Sequence, residues 1–409
     1  MYNWRLFSGG FQKWEGFWDA LQMHYEPARD ADEARQAKQA DPNIKVLLYR
    51  NMRSIYTHAP EYAQFQANGW LLHNAQGEEI TSLGFGTQRL VDLGNTAYQQ
   101  WLGDWMKTTI LKYGFDCGFL DDAIFGTREI LYGMVGVTSR CDAQTACPPI
   151  NPRTSLPYTN ADWLSANLAT LQRVKSVLGT IPLYANGTFN GMHFWRTGTH
   201  DAYVTLIQNS GIDGWMIEGF LNDGSGTYYS EDYWKQSVEY IRWIEANVSL
   251  QKRVFVATHW QDTIPSDILH DDFVLYVYAS LLLAASPERV YYTIDQPENT
   301  SLQFHSSQFV QSLHKIDLGN PSGAYYVLAE VANARVYARQ YEKGIVLVNP
   351  TANALAVTLP QTYKTLDGVN VTSLNMPAHR GAILLSQARK WLFTYWQDGD
   401  TNPTKTVVA

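Results

Sequence analysis

Short apolar runs alternate with amphipathic helical patterns along most of this chain, and that alternation constrains the fold more than any other feature. Strand-like runs separated by helices imply parallel strands joined by crossovers, each crossover covering the sheet that it connects. Eight such runs are read: Trp4 to Phe7, Val46 to Tyr49, Leu90 to Leu93, Cys117 to Asp121, Pro182 to Ala185, Gly214 to Glu218, Val254 to Thr258 and Val290 to Ile294. Eight is the number that closes a (β/α)8 TIM barrel. With 409 residues, 45% of them hydrophobic, the chain can bury such a core and still build a second unit.

The intervening segments carry helix signals of their own. In NADWLSANLATLQRVKSVLG, Asn160 is the expected N-cap, Leu164, Leu168, Leu171, Val174 and Leu178 form the buried stripe, and Gly179 suits the C-terminal cap. A second helix starts near Ser230, with Glu231 and Asp232 favourable in its first turn. The longest apolar run, residues 274–285, is too short to span a bilayer and reads as a barrel helix. After about residue 325 the period changes. ARVYARQY, GIVLVNP, ALAVTLP, TYKTLDG and GAILLS read as a small antiparallel β-sandwich, with turns at Asn349-Pro350 and Asp367-Gly368. The expected organisation is a barrel domain over residues 1–324, the β-sandwich over 325–388, and a tail over 389–409 that is aromatic and then polar.

Two of the strand runs can be laid over each other. GFDCGFLDD (residues 114–122) and GIDGWMIEG (residues 211–219) both open with Gly-x-Asp and both deliver a carboxylate five residues after that Asp: Asp121 and Glu218. A carboxylate that closes a buried strand is costly unless it is paired or functional. Two acids delivered alike are a candidate catalytic pair of the kind glycosidic cleavage requires. Strand alternation sends Asp121 and Asp122 to opposite sides, and the shared spacing selects Asp121 for the barrel axis. Asp121 is assigned as nucleophile, kept ionised by Arg50 or by backbone N–H groups. Glu218, beside Trp215 and Phe220, is assigned as acid/base with a raised pKa.

Barrel enzymes place their working groups at the C-terminal strand ends. Here those positions hold Tyr49, Arg50 and Asn51 after the second strand, Asp92 after the third, Asp122 after the fourth, Asn186 after the fifth, His259 and Trp260 after the seventh, and Asp295 after the eighth. Together they suit a hydroxyl-rich ligand and are taken as substrate-binding. Each has a plainer reading: Asp92 as a helix cap, Arg50 as its counter-charge, Asn186 as a turn residue, His259 as a satisfied buried group. The long connections 52–89 and 123–160 rise on the same face.

The combination of LLYRN, LVDLGNTAYQQW, GFDCGFLDD, GIDGWMIEGF, DLGNP and GIVLVNP resembles the glycoside hydrolases grouped as hypothetical glycosyl hydrolase family fifteen. The resemblance implies a barrel with a C-terminal β-domain and hydrolysis of a polysaccharide. A looser similarity, to the α-galactosidase and α-glucosidase clan, lies in the acids after strands four and six. That clan uses Asp at both places, so Glu218 is a departure.

A net charge of −8 and the lack of a Lys/Arg cluster argue against nucleic acid as a partner. The partner expected is a carbohydrate, with no membrane span, no cofactor and no metal; no zinc-type cysteine spacing occurs. Competing readings are a non-catalytic carbohydrate-binding barrel, and a metal-dependent hydrolase or lyase on the same face. Cys141 and Cys147 lie in one loop where a disulfide would fit an extracellular or periplasmic setting, while Cys117 reads as core. MYNWRLFSGG shows none of the features of a signal peptide.

Overall fold

The computed structural model describes residues 31–32, 34–35, 38–39, 45–81, 87–123, 149–188, 190–221, 228–259, 270–285, 290–295, 313 and 316–386, together with the strand segments 4–9 and 16–20. The strands before the C-terminal unit are β1 (Trp4–Gly9), β2 (Gly16–Ala20), β3 (Lys45–Asn51), β4 (Ser54–Tyr56), β5 (Gln88–Leu90), β6 (Cys117–Asp121), β7 (Ile150–Asn151), β8 (Leu156–Pro157), β9 (Leu183–Asn186), β10 (Gly214–Glu218), β11 (Arg253–His259) and β12 (Val290–Asp295). Eight of them close on themselves in the order β1-β12-β11-β10-β9-β6-β3-β2. From β2 round to β12 neighbouring strands are parallel, whereas β1 runs antiparallel to both of its neighbours. The ring therefore departs from eight successive βα units.

A second correction concerns the third expected strand. Leu90 to Leu93 is not part of the ring, and Gly16–Ala20, which the apolar pattern missed, fills the eighth place. The residues are buried as their apolarity demands, Leu90, Val91 and Leu93 all at 0% exposure. Their backbone is bound elsewhere: β5 pairs with β4, the Val91 N–H donates to Arg53 O, and the Asp92 N–H donates to Trp70 O. Burial alone does not say which neighbour supplies the hydrogen bonds.

Helices α1 (Tyr62–Ala67), α2 (Thr96–Tyr113), α3 (Asn160–Leu178), α4 (Gly191–Phe194), α5 (His200–Asn209), α6 (Glu231–Asn247) and α7 (His270–Ala284) lie between the strands. Thr159 rather than Asn160 caps α3, through a reciprocal capping box with Asp162, so the cap sits one residue earlier than expected. Asn95 caps α2, which removes that role from Asp92, and Ser230 caps α6 as expected. No described helix is long and apolar enough to cross a membrane.

The C-terminal unit is antiparallel, as the change of period implied. It comprises β13 (Tyr326–Val331), β14 (Ala334–Tyr341), β15 (Gly344–Asn349), β16 (Leu355–Lys364), β17 (Asn370–Met376) and β18 (Arg380–Ser386), hydrogen-bonded as one sheet in the order β13-β14-β15-β18-β16-β17. It grips the barrel through two helices. Arg339 donates to Leu282 O and Ala285 O at 3.0 and 3.1 Å, and Tyr341 donates to Leu282 O at 2.6 Å, which satisfies the carbonyls left open at the end of α7. At the start of α6, Glu231 accepts from Arg335 and Tyr337. Gly381 is required at this seam, since a Cβ there would lie 2.6 Å from Leu275 O. Residues 389–409, Cys141, Cys147 and Trp260 lie outside the described residues, and Cys117 is buried, its thiol donating to Val46 O at 3.8 Å.

Candidate active site

The two overlaid motifs are one structural device used twice. Gly114 and Gly211 both adopt the left-handed conformation (φ 78° and 74°) where the preceding helix stops, a conformation that glycine enters without strain. Two residues later, the Asp116 carboxylate accepts the Val46 N–H of β3 at 2.8 Å and pairs with Lys38. Asp213 accepts the Leu183 N–H of β9 at 2.8 Å and pairs with Lys175. Each Asp thus pins the base of its strand against the strand before it. A fixed run of five residues then raises Asp121 and Glu218 to matching heights at the other end of the ring.

Inside the ring, alternate residues form one cluster: Leu47 from β3, Cys117 and Phe119 from β6, Tyr184 from β9, Met216 from β10, Phe255 from β11 and Tyr291 from β12, with Tyr49 packed against it. Continuing that alternation by one step brings Asn51, Asp121, Asn186 and Glu218 to the strand ends on the same inner face. Tyr49 donates its hydroxyl to Asp121 Oδ2 at 2.5 Å. The Nδ2 of Asn186 donates to Asp121 Oδ1 at 2.9 Å and to Glu218 Oε2 at 2.7 Å. Sharing one donor holds those two carboxylate oxygens within about 5.6 Å of each other. The amide orientation follows from charge, because turning it over would aim its oxygen at two carboxylates.

Asp122 goes the other way. Its backbone is left-handed (φ 59°), and its carboxylate accepts from Asn51 Nδ2 and Arg53 Nη2, both at 2.6 Å, while its N–H donates to Asp121 Oδ1 at 2.8 Å. A non-glycine residue held at positive φ costs on the order of 1 kcal/mol. Here two strong charge-assisted hydrogen bonds hold it, and the bend is what separates the two adjacent acids. The next residue, Ala123, donates to Asn186 O at 2.7 Å. Its backbone lies so close to Gly187 that a Cβ there would fall 2.4 Å from Ala123 O, so glycine is needed beside the amide that joins the acids.

Burial pushes the Asp121 carboxyl up to about 7, aided by the charges of Asp122 and Glu218 and opposed by the hydrogen bonds from Tyr49 and Asn186. This differs from the expectation of an Asp121 kept ionised by Arg50. Arg50 faces outward: its guanidinium lies over Trp105 at 4.6 Å and Trp101 at 5.5 Å, with Glu61 3.9 Å away. Among the described residues, no group of three or more His, Cys, Asp or Glu is arranged to hold a metal ion.

Asp92 is not brought to this cluster. It is 1% exposed and accepts from Arg153 at 2.8 and 3.1 Å and from the Tyr158 hydroxyl at 2.5 Å, so Arg153 and not Arg50 is its counter-charge. His259 and Asp295 are register partners at the ends of β11 and β12; their side chains, like all of Trp260, lie outside the described residues. Sequence reasoning missed Arg53, which holds Asp122. It also missed Tyr56, whose hydroxyl is pushed up by burial and by the charges of Asp121 and Asp122. Arg53 stands four residues after Tyr49, and only the close of β3 and the turn into β4 set it against Asp122.

A sequence profile described as hypothetical glycosyl hydrolase family 15 matches residues 38–345. No curated protein matches the chain. Among solved structures, the Eubacterium rectale protein Amy13B is 11% identical, with a TM-score of 0.50 over 88% of this chain and 82% of that one, a likeness of fold. An Anoxybacillus α-amylase is 13% identical (TM-score 0.48, 88% of this chain and 79% of that one). A GH36 α-galactosidase from Geobacillus stearothermophilus is 10% identical (TM-score 0.44, 85% of this chain and 46% of that one).

Proposed function

The chain belongs to hypothetical glycosyl hydrolase family 15, and on that premise we propose that it cleaves O-glycosidic bonds of an oligo- or polysaccharide with retention of configuration, Asp121 and Glu218 being the catalytic pair. The observation that carries this reading is the Asn186 bridge, which keeps Asp121 Oδ1 and Glu218 Oε2 no more than about 5.6 Å apart, compatible with the roughly 5 to 5.5 Å of retaining enzymes and short of the roughly 6.5 to 9.5 Å of inverting ones. We read the closed ring as a variant of the (β/α)8 barrel, with the acids on its usual catalytic face. The C-terminal sheet, in which β13 and β14 also pack against β16, is read as folding over into a sandwich.

In this mechanism Asp121 attacks the anomeric carbon while Glu218 protonates the departing oxygen. Glu218 then takes a proton from the water that releases the sugar. Three donors, from Tyr49, Asn186 and the Asp122 N–H, favour the ionised form of Asp121, which suits it to the nucleophile's part. Tyr49, Asn51, Asn186 and Asp122 position the pair, and His259, Trp260 and Asp295 are proposed to meet the sugar. Asp121→Asn and Glu218→Gln should each lower hydrolysis of a polysaccharide panel by about 10²- to 10⁴-fold, with product anomers followed by NMR. Undiminished activity in either variant refutes the pair, and a trapped glycosyl group on Glu218 would exchange the two roles.

A further inference from the structure

A second concave site is built from two of the segments that follow ring strands. A cavity of about 370 Å³ is lined by Met192, His193, Trp195, Arg196, Tyr233 and Gln236. It falls between the segment that follows β9, the strand bearing Asn186, and the first turn of α6, the helix that follows the strand bearing Glu218. Both segments leave the end of the ring at which the acids stand. A hydrogen-bond chain links the cavity to that end: His193 Nδ1 lies 3.0 Å from Asn190 Oδ1, Asn190 donates to the Tyr229 hydroxyl at 2.9 Å, and Tyr229 donates to the carbonyl of Gly219, next to Glu218, at 3.1 Å.

We propose that this cavity is a sugar-binding subsite that holds a pyranose ring of the glycan being cleaved, a proposal that rests on the glycosidase reading above. Two large aromatic side chains are exposed there, Trp195 at 37% and Tyr233 at 43%, where burial would be the default for such rings. The indole is held rigidly: its N–H donates to Gln236 O at 3.1 Å, and His200, which does not line the cavity, stacks on it at 5.1 Å and 13°. A fixed aromatic surface costs little entropy on binding and suits the C–H face of a pyranose. Arg196, His193 and Gln236 supply polar groups at the edge for hydroxyls, and the volume falls in the range of small-ligand sites. Helix α6 does not use Tyr233 for its core, since it buries Trp234, Val238, Ile241 and Ile244 instead.

The test is affinity electrophoresis of the full chain carrying Glu218→Gln, run through gels containing soluble starch, galactomannan, xylan or β-glucan. Trp195→Ala or Tyr233→Ala, added singly, should weaken retardation by the hydrolysed polymer by roughly three- to tenfold in apparent Kd. Leu111→Ala, removing a side chain 68% exposed on α2, should leave it unchanged. Thermal melts of each variant separate a lost subsite from a lost fold. Equal retardation of all the folded variants, or none by any polymer that the wild type hydrolyses, overturns the subsite and leaves the catalytic reading standing. A wild type that hydrolyses no glycan overturns the catalytic reading, and the ligand class named here with it.

Discussion

Replacing Tyr49 by Phe removes one hydroxyl from the acid cluster and little else, because the ring remains stacked on Phe119 at 6.2 Å. The lost interaction is the 2.5 Å donation to Asp121 Oδ2, the foremost of the hydrogen bonds that hold this carboxyl down against burial. A hydrogen bond to a charged acceptor contributes about 1.5 to 3 kcal/mol, or about 1 to 2 pKa units at 1.36 kcal/mol per unit. The sign is upward: the hydroxyl favours the ionised form, so without it Asp121 should titrate above its present value of about 7. If Asp121 is the nucleophile, the acid limb of the kcat/KM profile moves to higher pH. The ionised fraction at pH 7 then falls from about half to between a tenth and a hundredth, lowering kcat/KM there by roughly five- to fiftyfold, with recovery in alkali. The assay is kcat/KM from pH 5 to 10 on the glycan found in the substrate screen. Movement of the alkaline limb instead would mean that Asp121 works protonated, reversing the two roles. A loss independent of pH, or a shift downward, would refute the coupling altogether.

The same raised carboxyl makes a stability prediction of definite sign. A group whose folded pKa lies above its unfolded value contributes stability at low pH that is lost as pH rises through about 7, so Asp121→Asn should stabilise the fold at pH 8 by about 1 to 3 kcal/mol, less than the full shift implies because Asn mismatches some donors. Differential scanning calorimetry should show a Tm gain at pH 8 that shrinks towards pH 4, and an equal or lower Tm at pH 8 counts against the buried, repelled carboxylate. Arg153→Ala should destabilise the chain by about 2 to 4 kcal/mol, since it leaves the buried Asp92 with one fewer counter-charge, the effect being softened because Arg153 is 43% exposed. Urea denaturation measures it, and a change below about 0.5 kcal/mol would show that Asp92 needs no cation.

Which parts of this were legible beforehand follows from what each depended on. Strands buried on both faces announce themselves as apolar runs, so β6, β10, β11 and β12 were found nearly to the residue. Gly16–Ala20 was not, being five residues of mixed polarity, and Val91–Leu93 was misplaced because buried segments look alike whichever sheet they adjoin. The choice of Asp121 over Asp122 rested on a spacing written within one segment, the five residues from Asp116 that match Asp213 to Glu218. What pairs with what did not. Arg153 reaches Asp92 across 61 residues and Arg53 reaches Asp122 across 69. The direction of the Asp121 shift depends on how closely three acids are packed, which no single segment contains.

The separation of the acids is itself built from these parts. Neighbouring strands lie about 4.8 Å apart, and β6 and β10 are two steps apart with β9 between them, so their backbones stand roughly 10 Å from each other. The side chains must converge across about half that distance to share one amide. The matched Asp anchors at the base keep the acids level, which leaves reach as the remaining variable. Glutamate at 218 has one methylene more to reach with than an aspartate would. Its Oε2 lies 2.7 Å from Asn186 Nδ2 while Asp121 stays tied to Tyr49. Asn186, on the strand between, is the donor that both acids share, while the Glu218 charge acts on Asp121 through space.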